Sequence, residues 1–175
     1  MAKKTVRIQN LDAVTKNLKK IFNDVKREKK LLKDIGVFSR DRIIFEARRG
    51  FSMEGNKRHK FPPLKDSSKL IRKGILKKMP SRVDDQFFKP NKSNVTLTGQ
   101  LIKSFSYVVK NNAVFLFFKD PRTKLDEKDT TSNNAVYDDL ESRGFGFIGL
   151  DEKSQKRVRK LVLDEFRRTI KKFFK

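Results

Sequence analysis

Apolar residues in the first third of the chain recur at the spacing of a single helix face. Leu11, Val14, Leu18, Ile21, Val25, Leu32 and Ile35 follow one another at three, four or seven residues, with Glu28 the one polar member of the stripe. Asn10 stands where a helix N-cap belongs, and before it Thr5 to Gln9 alternates with the period of a short half-buried strand. Gly36 interrupts the stripe at a helix cost of about 1 kcal/mol, and Phe38, Ile43, Ile44 and Phe45 restore it. The pattern predicts a kinked or paired helix ending near Arg49. A second long helix is predicted at the other end. There Asp151 is the cap, Val158, Leu161, Val162, Phe166, Ile170 and Phe173 share a face, and Lys and Arg lie opposite.

Between these helices the periodicity changes. Gly50 to Lys60 is polar and basic and reads as an exposed loop, anchored by Phe61-Pro62-Pro63-Leu64, which cannot be helical throughout. Asp66 or Ser67 caps a short helix carrying Leu70, Ile71, Ile75 and Leu76, with Pro80 as its stop. Ser81 to Asn94 reads as another loop. Phe105 to Lys110 and Ala113 to Lys119 are rich in β-branched and aromatic residues, and Asn111-Asn112 between them tolerates the left-handed backbone of a tight hairpin. Asp120 to Asn134 has no apolar period and is long enough to be a mobile arm or an assembly-dependent loop. A short helix over 135–142 then leads into Gly144-Phe145-Gly146-Phe147-Ile148-Gly149. The expected class is α+β: a single domain over 1–175 with long N-terminal and C-terminal helices on a small, mainly antiparallel sheet. Flexible loops are expected at 50–60, 81–94 and 120–134.

Composition narrows the function classes. Sixteen Phe residues supply apolar bulk that disordered chains lack. A formal charge of +23, from 44 Lys and Arg against 21 Asp and Glu, attracts polyanions or acidic protein surfaces. The charge is spread along the chain, as on solvated helix faces. There is no cysteine, hence no disulfide or thiolate metal site. The longest apolar run, Val114 to Phe118, is too short for a bilayer, and no apolar stretch follows the basic residues Lys3, Lys4 and Arg7 as in a secretory signal. Synthesis in the cytoplasm, without membrane insertion, is the expectation.

Candidate chemistry is sparse. Gly144, Gly146 and Gly149 match the dinucleotide-binding spacing, but no parallel strand precedes them, Phe145 and Phe147 fill the gaps, and Asp151 and Glu152 would repel a phosphate. A turn that lets Phe145 and Phe147 plug a core or an interface is the better reading, and Phe61, Leu64, Phe145, Phe147 and Ile148 are the candidate core or interface residues. His59 lies between Arg58 and Lys60 without a nucleophile or carboxylate beside it. The pairs Asp84-Asp85 and Asp138-Asp139 diverge in direction, so neither makes a cation site alone. No catalytic residue, cofactor or metal ligand is therefore expected. The mixture of cations and rings around Arg48, Arg49, Lys57, Arg58 and Lys60 suits contacts to DNA or an acidic partner. No zinc-finger, helix-turn-helix or RNA-recognition signature accompanies it.

Several stretches, taken in order, carry a resemblance to a family. They are Val6-Arg7-Ile8-Gln9-Asn10-Leu11 before an amphipathic helix, Phe61-Pro62-Pro63-Leu64-Lys65-Asp66-Ser67-Ser68 running into Arg72-Lys73-Gly74, Leu97-Thr98-Gly99-Gln100-Leu101-Ile102-Lys103-Ser104, and Arg143 to Leu150 before the closing helix. The sequence resembles the phage virion morphogenesis family, the tail completion proteins typified by Mu-like phages. The third stretch is close to the family's Leu-Thr-Gly-x-Leu-x-x-Ser, and Phe61 stands where the family usually has Trp. Where the family has Tyr-Ala and His-Gln-x-Gly, this chain has Asp120 to Asn134 and Tyr137. The resemblance implies a non-enzymatic virion component, made in the host cytoplasm and placed at the head-tail junction or tail end. It implies a ring of identical subunits that meets head-completion or connector proteins and tail-tube or tail-terminator proteins, with the packaged DNA as a further contact. The alternative function is a basic, sequence-independent nucleic-acid-binding protein.

Overall fold

The protein is described here by a computed structural model covering residues 11–54, 56–78, 89, 91–93, 100–119 and 132–173. The class is α+β, as the pattern predicts. In chain order the elements are α1 (Leu11–Arg27), α2 (Lys29–Arg49), β1 (Phe51–Glu54), β2 (Lys57–Lys60), α3 (Asp66–Lys78), α4 (Gln100–Ser104), β3 (Phe105–Lys110), β4 (Ala113–Phe118), α5 (Asn133–Leu140) and α6 (Glu152–Phe173), with a single π-type turn, Glu141–Phe145, after α5. Among the described residues the strands form two separate antiparallel hairpins, β1–β2 and β3–β4, rather than one sheet. Helix α2 packs against β3, β4 and β1, while α6 packs on α1 and α2.

The first long helix breaks at Glu28, not at Gly36. Glu28 leaves the helical region (φ −66°, ψ 100°) and accepts a hydrogen bond from the Lys30 N–H at 3.1 Å, so the polar member of the stripe becomes the cap of α2. The break shifts the phase of the buried face. Ile21 and Val25 are buried before it, and Leu31, Ser39, Ile43, Glu46 and Ala47 after it, whereas Leu18 is exposed and Leu32 only half-buried. Gly36 lies inside α2 because the Tyr107 ring of β3 rests on it; a Cβ there would sit 2.6 Å from Cε2 of that ring. The end at Arg49 is as expected. Gly50 adopts φ 86° and donates its N–H to Ala47 O and Glu46 O, the left-handed cap that glycine takes without strain.

From Gly50 the chain enters a hairpin where an exposed loop is expected. Phe51 pairs with Lys60 and Glu54 with Lys57, and Phe61 N donates to Gly50 O at 2.8 Å, closing the base. The β3–β4 hairpin matches its prediction, with Asn111 (φ 51°) and Asn112 (φ 56°) both left-handed in the turn. Phe105 and Phe118, paired across it, face α2 and join Ile43, Ala47, Phe61, Leu101, Ile102, Tyr137 and Phe147 in the main core. Phe147 is 0% exposed and meets the Tyr137 ring edge-on at 5.1 Å between centroids.

Three further expectations change. The end of the 120–134 connection is ordered into α5: the Ser132 hydroxyl accepts the Ala135 N–H at 3.1 Å, and buried Asn133 donates its side-chain amide to Lys119 O at 2.8 Å. Helix α3 forms, but Leu70 and Ile71 face outward at 67% and 61% exposure while Arg72 is buried, so its apolar residues do not join the core. Ile148 is 36% exposed, since it follows Phe147 and points away from the core that Phe147 fills. The expected strand at 5–9, the Asn10 cap, the Pro80 stop, Asp84-Asp85, most of the 81–94 loop and residues 120–131 lie outside the described residues. No helix among the described residues is long and apolar enough to cross a membrane.

Candidate functional site

Glu46 organises the most elaborate polar surface. It is 0% exposed, near the end of α2, and its carboxylate takes an ion pair from Arg42 one turn earlier at 2.7 Å and another from Arg58 of β2 at 3.3 Å. A buried carboxylate is tolerated only when it is paired and hydrogen-bonded. Arg42 also reaches Asp151 at 3.3 Å and the Ser154 hydroxyl at 3.1 Å, so α2, β2 and the start of α6 are tied through one network. Asp151 caps α6 by accepting the Ser154 N–H at 2.8 Å. Burial pushes the Asp151 carboxyl up, but hydrogen bonds from Ser154 and the charge of Arg42 outweigh it, and the group ends below the usual carboxylate range. The Gln155 side chain meets Asn56 at the tip of the first hairpin, a second link to α6.

Guanidinium and phenyl groups alternate above this network. Arg42 lies 5.6 Å from the Phe45 centroid, Arg49 5.2 Å from Phe45 and 5.6 Å from Phe51, and Arg58 4.3 Å from Phe51. Each such contact contributes about 0.5–1 kcal/mol at an exposed site. Phe45 remains 43% exposed, so one ring of the stack faces solvent. Of the five cations nominated from sequence, Arg49 and Arg58 meet on Phe51. Lys60 is exposed and shares the Arg58 side of β2, Lys57 lies on the other side of that strand with exposed His59, and Arg48 is half-buried on α2. Phe51 belongs to the basic and aromatic mixture that the sequence offers, whereas sequence reading missed Arg42 and Phe45 as partners. The i, i+3, i+7 spacing of Arg42, Phe45 and Arg49 was the available signal.

Two grooves border the stack. One, of about 430 Å³, is walled by Phe38 and Arg42 of α2 and by Lys153, Ser154, Lys156, Arg157 and Lys160 of α6. The next, of about 620 Å³, continues along α2 past Asp34, Val37, Phe38, Asp41, Arg42 and Phe45. The first is strongly cationic.

The glycine-rich segment packs instead of cradling a phosphate. Gly144 takes φ 82°, Phe145 stacks on Phe61 at 5.4 Å between centroids, and a Cβ on Gly146 would crowd the Glu141 side chain at 3.1 Å. Leu64 is half-buried and lies outside the main core. The Tyr137 hydroxyl donates to Glu141 at 3.0 Å and accepts the Ile148 N–H at 3.3 Å; burial first, and Glu141 in addition, push its pKa up to about 12. Asp138 and Asp139 are exposed on α5, and Asp139 pairs with Arg143. Among the described residues no three metal-ligating side chains cluster.

A second surface is apolar. Ser106, Val108, Phe115 and Phe117 form the outer side of β3–β4, with Val108, Phe115 and Phe117 at 44%, 49% and 39% exposure, and the outward edge of each strand pairs with no other described strand. No protein-family model, no curated protein and no solved structure matches this chain.

Proposed function

We propose that this chain is a structural virion protein of a tailed phage, which completes the tail or joins it to the head as one subunit of a homo-oligomeric ring. The observation that carries the reading is the β3–β4 hairpin, whose inner side is committed to the core while its outer side exposes two Phe and a Val beside edges that pair with no other described strand. An exposed apolar strand pair in isolation invites edge pairing or face packing, and subunits that bury it against one another remove the hazard. Head-to-tail contacts of that kind close into a ring when the rotation between subunits divides the circle.

The stretches that resemble the tail completion proteins, in the same order along the chain, support the same reading. Phe61 and Leu101 both enter the core, and Phe147 of the Arg143 to Leu150 stretch fills its centre. On this reading the protein catalyses nothing and resides in the virion at the head-tail junction or tail end. Its neighbours are head-completion or connector proteins and tail-tube or tail-terminator proteins. Mass measurement on the purified chain and on its complexes from infected cells tests the proposal. A closed oligomer is expected; a chain that stays monomeric both alone and with its phage partners contradicts it.

A further inference from the structure

We infer that the cationic groove between α2 and the first half of α6 binds the phosphate backbone of nucleic acid, with Lys153, Arg157 and Lys160 as its wall. The arginine and phenylalanine stack extends the groove toward the first hairpin. This goes beyond the assembly reading and does not depend on it.

The wall cations are available. Lys153, Arg157 and Lys160 are exposed and make no ion pair with any described residue, and Lys156 beside them is held only by exposed Glu152 at 2.8 Å. The acids at this end of α6 are already engaged: Asp151 by Arg42 and the Ser154 N–H, Glu152 by Lys156. Arg42, which forms the opposite wall, is fixed by Glu46 and keeps its position without a ligand. Asp41, farther along α2, is paired with Arg40 at 2.7 Å.

The shape favours a linear polyanion. Lys153, Lys156, Arg157, Lys160, Arg167 and Lys171 fall on one exposed side of α6, interrupted there by Asp164, which pairs with Arg167. The helix of 22 residues extends about 33 Å at ~1.5 Å per residue, alongside a strand that carries a phosphate every ~3.4 Å. Exposed Phe45 sits between the Arg42 and Arg49 guanidiniums, and a planar base can stack on this group of cations and ring. A membrane surface would call for apolar residues at the centre of the cationic face; the α6 wall of the groove is Lys, Arg and Ser154, and Phe38, which lines the α2 side, is half-buried. Phosphate contacts carry no sequence information, so binding is expected to be indifferent to base order.

Fluorescence anisotropy tests this with labelled single-stranded oligonucleotides and duplexes, two unrelated sequences of each, over a range of salt. The groove variant Lys153→Glu/Arg157→Glu/Lys160→Glu is compared with Lys73→Glu/Lys77→Glu/Lys78→Glu on α3, which changes the net charge equally. The groove variant is expected to lose at least about tenfold in affinity, and its log–log salt slope to fall by about 2 to 3, at ~0.9 for each phosphate no longer neutralised. The α3 variant should stay within about threefold of the parent protein. Equal losses in the two variants would show a diffuse field in place of a site, and an unchanged groove variant would overturn the proposal outright. Neutral Lys153→Gln/Arg157→Gln/Lys160→Gln, with circular dichroism matching the parent, separates weakened binding from failed folding and must also bind less tightly. Phe45→Ala distinguishes the two nucleic-acid forms: a loss confined to single strands assigns stacked bases, and an equal small loss on both assigns the backbone alone. Poly-glutamate or anionic vesicles that bind as tightly as the oligonucleotides at the same salt would contradict the assignment to nucleic acid.

Discussion

Hairpin β1–β2 and hairpin β3–β4 are both antiparallel pairs, yet charges hold the first in place and rings hold the second. In β1–β2 every residue of Lys57–Lys60 is exposed, and the hairpin is fixed by Arg58 of β2 on buried Glu46 and on the Phe51 ring, and by Met53 N of β1 donating to Gly146 O at 3.0 Å. In β3–β4, Phe105 and Phe118 are 3% and 5% exposed and stack at 5.1 Å between centroids within a core closed by Phe147. The difference teaches that a hairpin whose second strand is wholly exposed can be held by one cation, Arg58, set on a buried carboxylate and on the ring of Phe51. Such a hairpin depends on ionisation and salt, and the aromatic one depends on volume.

The largest effect is expected from the aromatic side. Phe147→Ala or Phe118→Ala removes a ring from a closed core and should cost about 3 to 5 kcal/mol in urea unfolding. Loss of both hairpins together is the expected outcome, and an unchanged midpoint would show that the ring cluster does not support the fold. Glu46→Gln keeps the shape but not the charge, and should cost about 1 to 3 kcal/mol. Its signature is local: amide exchange should quicken in β1–β2 and at the start of α6 before it does in β3–β4. Uniform exchange across both hairpins would erase the contrast between them.

The aromatic hairpin was legible in the sequence because alternation, β-branched residues and Asn-Asn at the turn all point the same way. The charged hairpin was not. Lys57-Arg58-His59-Lys60 has no apolar alternation, and its anchor, Glu46, sits twelve residues away from Arg58 on a helix whose period suggested nothing polar in the core. The same blindness explains the helix break. Glu28 looks like a flaw in an apolar stripe until its carboxylate is seen capping the Lys30 N–H. Phe147 was readable from its flanking glycines, while Ile148 was not, since neighbouring residues of an extended segment point to opposite sides. Nothing in the spacing of Leu70 and Ile71 distinguishes an inward face from the outward one they occupy.

A smaller effect sharpens the aromatic side. Tyr137→Phe loses the hydroxyl shared by Glu141 and the Ile148 N–H and should cost about 1 kcal/mol near neutral pH. Because the folded pKa, about 12, lies above the ordinary value of 10.0, the stabilisation is complete below pH 10 and is lost as pH rises toward 12. The parent protein should therefore destabilise through that window more steeply than Tyr137→Phe, and parallel alkaline unfolding curves would contradict the buried hydroxyl. Smallest of all, Arg58→Ala should cost about 1 kcal/mol or less, since Arg42 still pairs with Glu46 and Arg58 is partly solvated. Added salt should narrow the gap between this variant and the parent.

The central claim is that the outer side of β3–β4 joins subunits while its inner side holds the fold. Native mass spectrometry of the chain, with the proposed neck and tail partners and without them, tests this most directly when the parent is compared with Phe115→Lys/Phe117→Lys. The account predicts a closed oligomer for the parent and folded monomers for the double variant, with near-parental thermal stability because both rings are already exposed. An oligomer of unchanged mass in the double variant would contradict it.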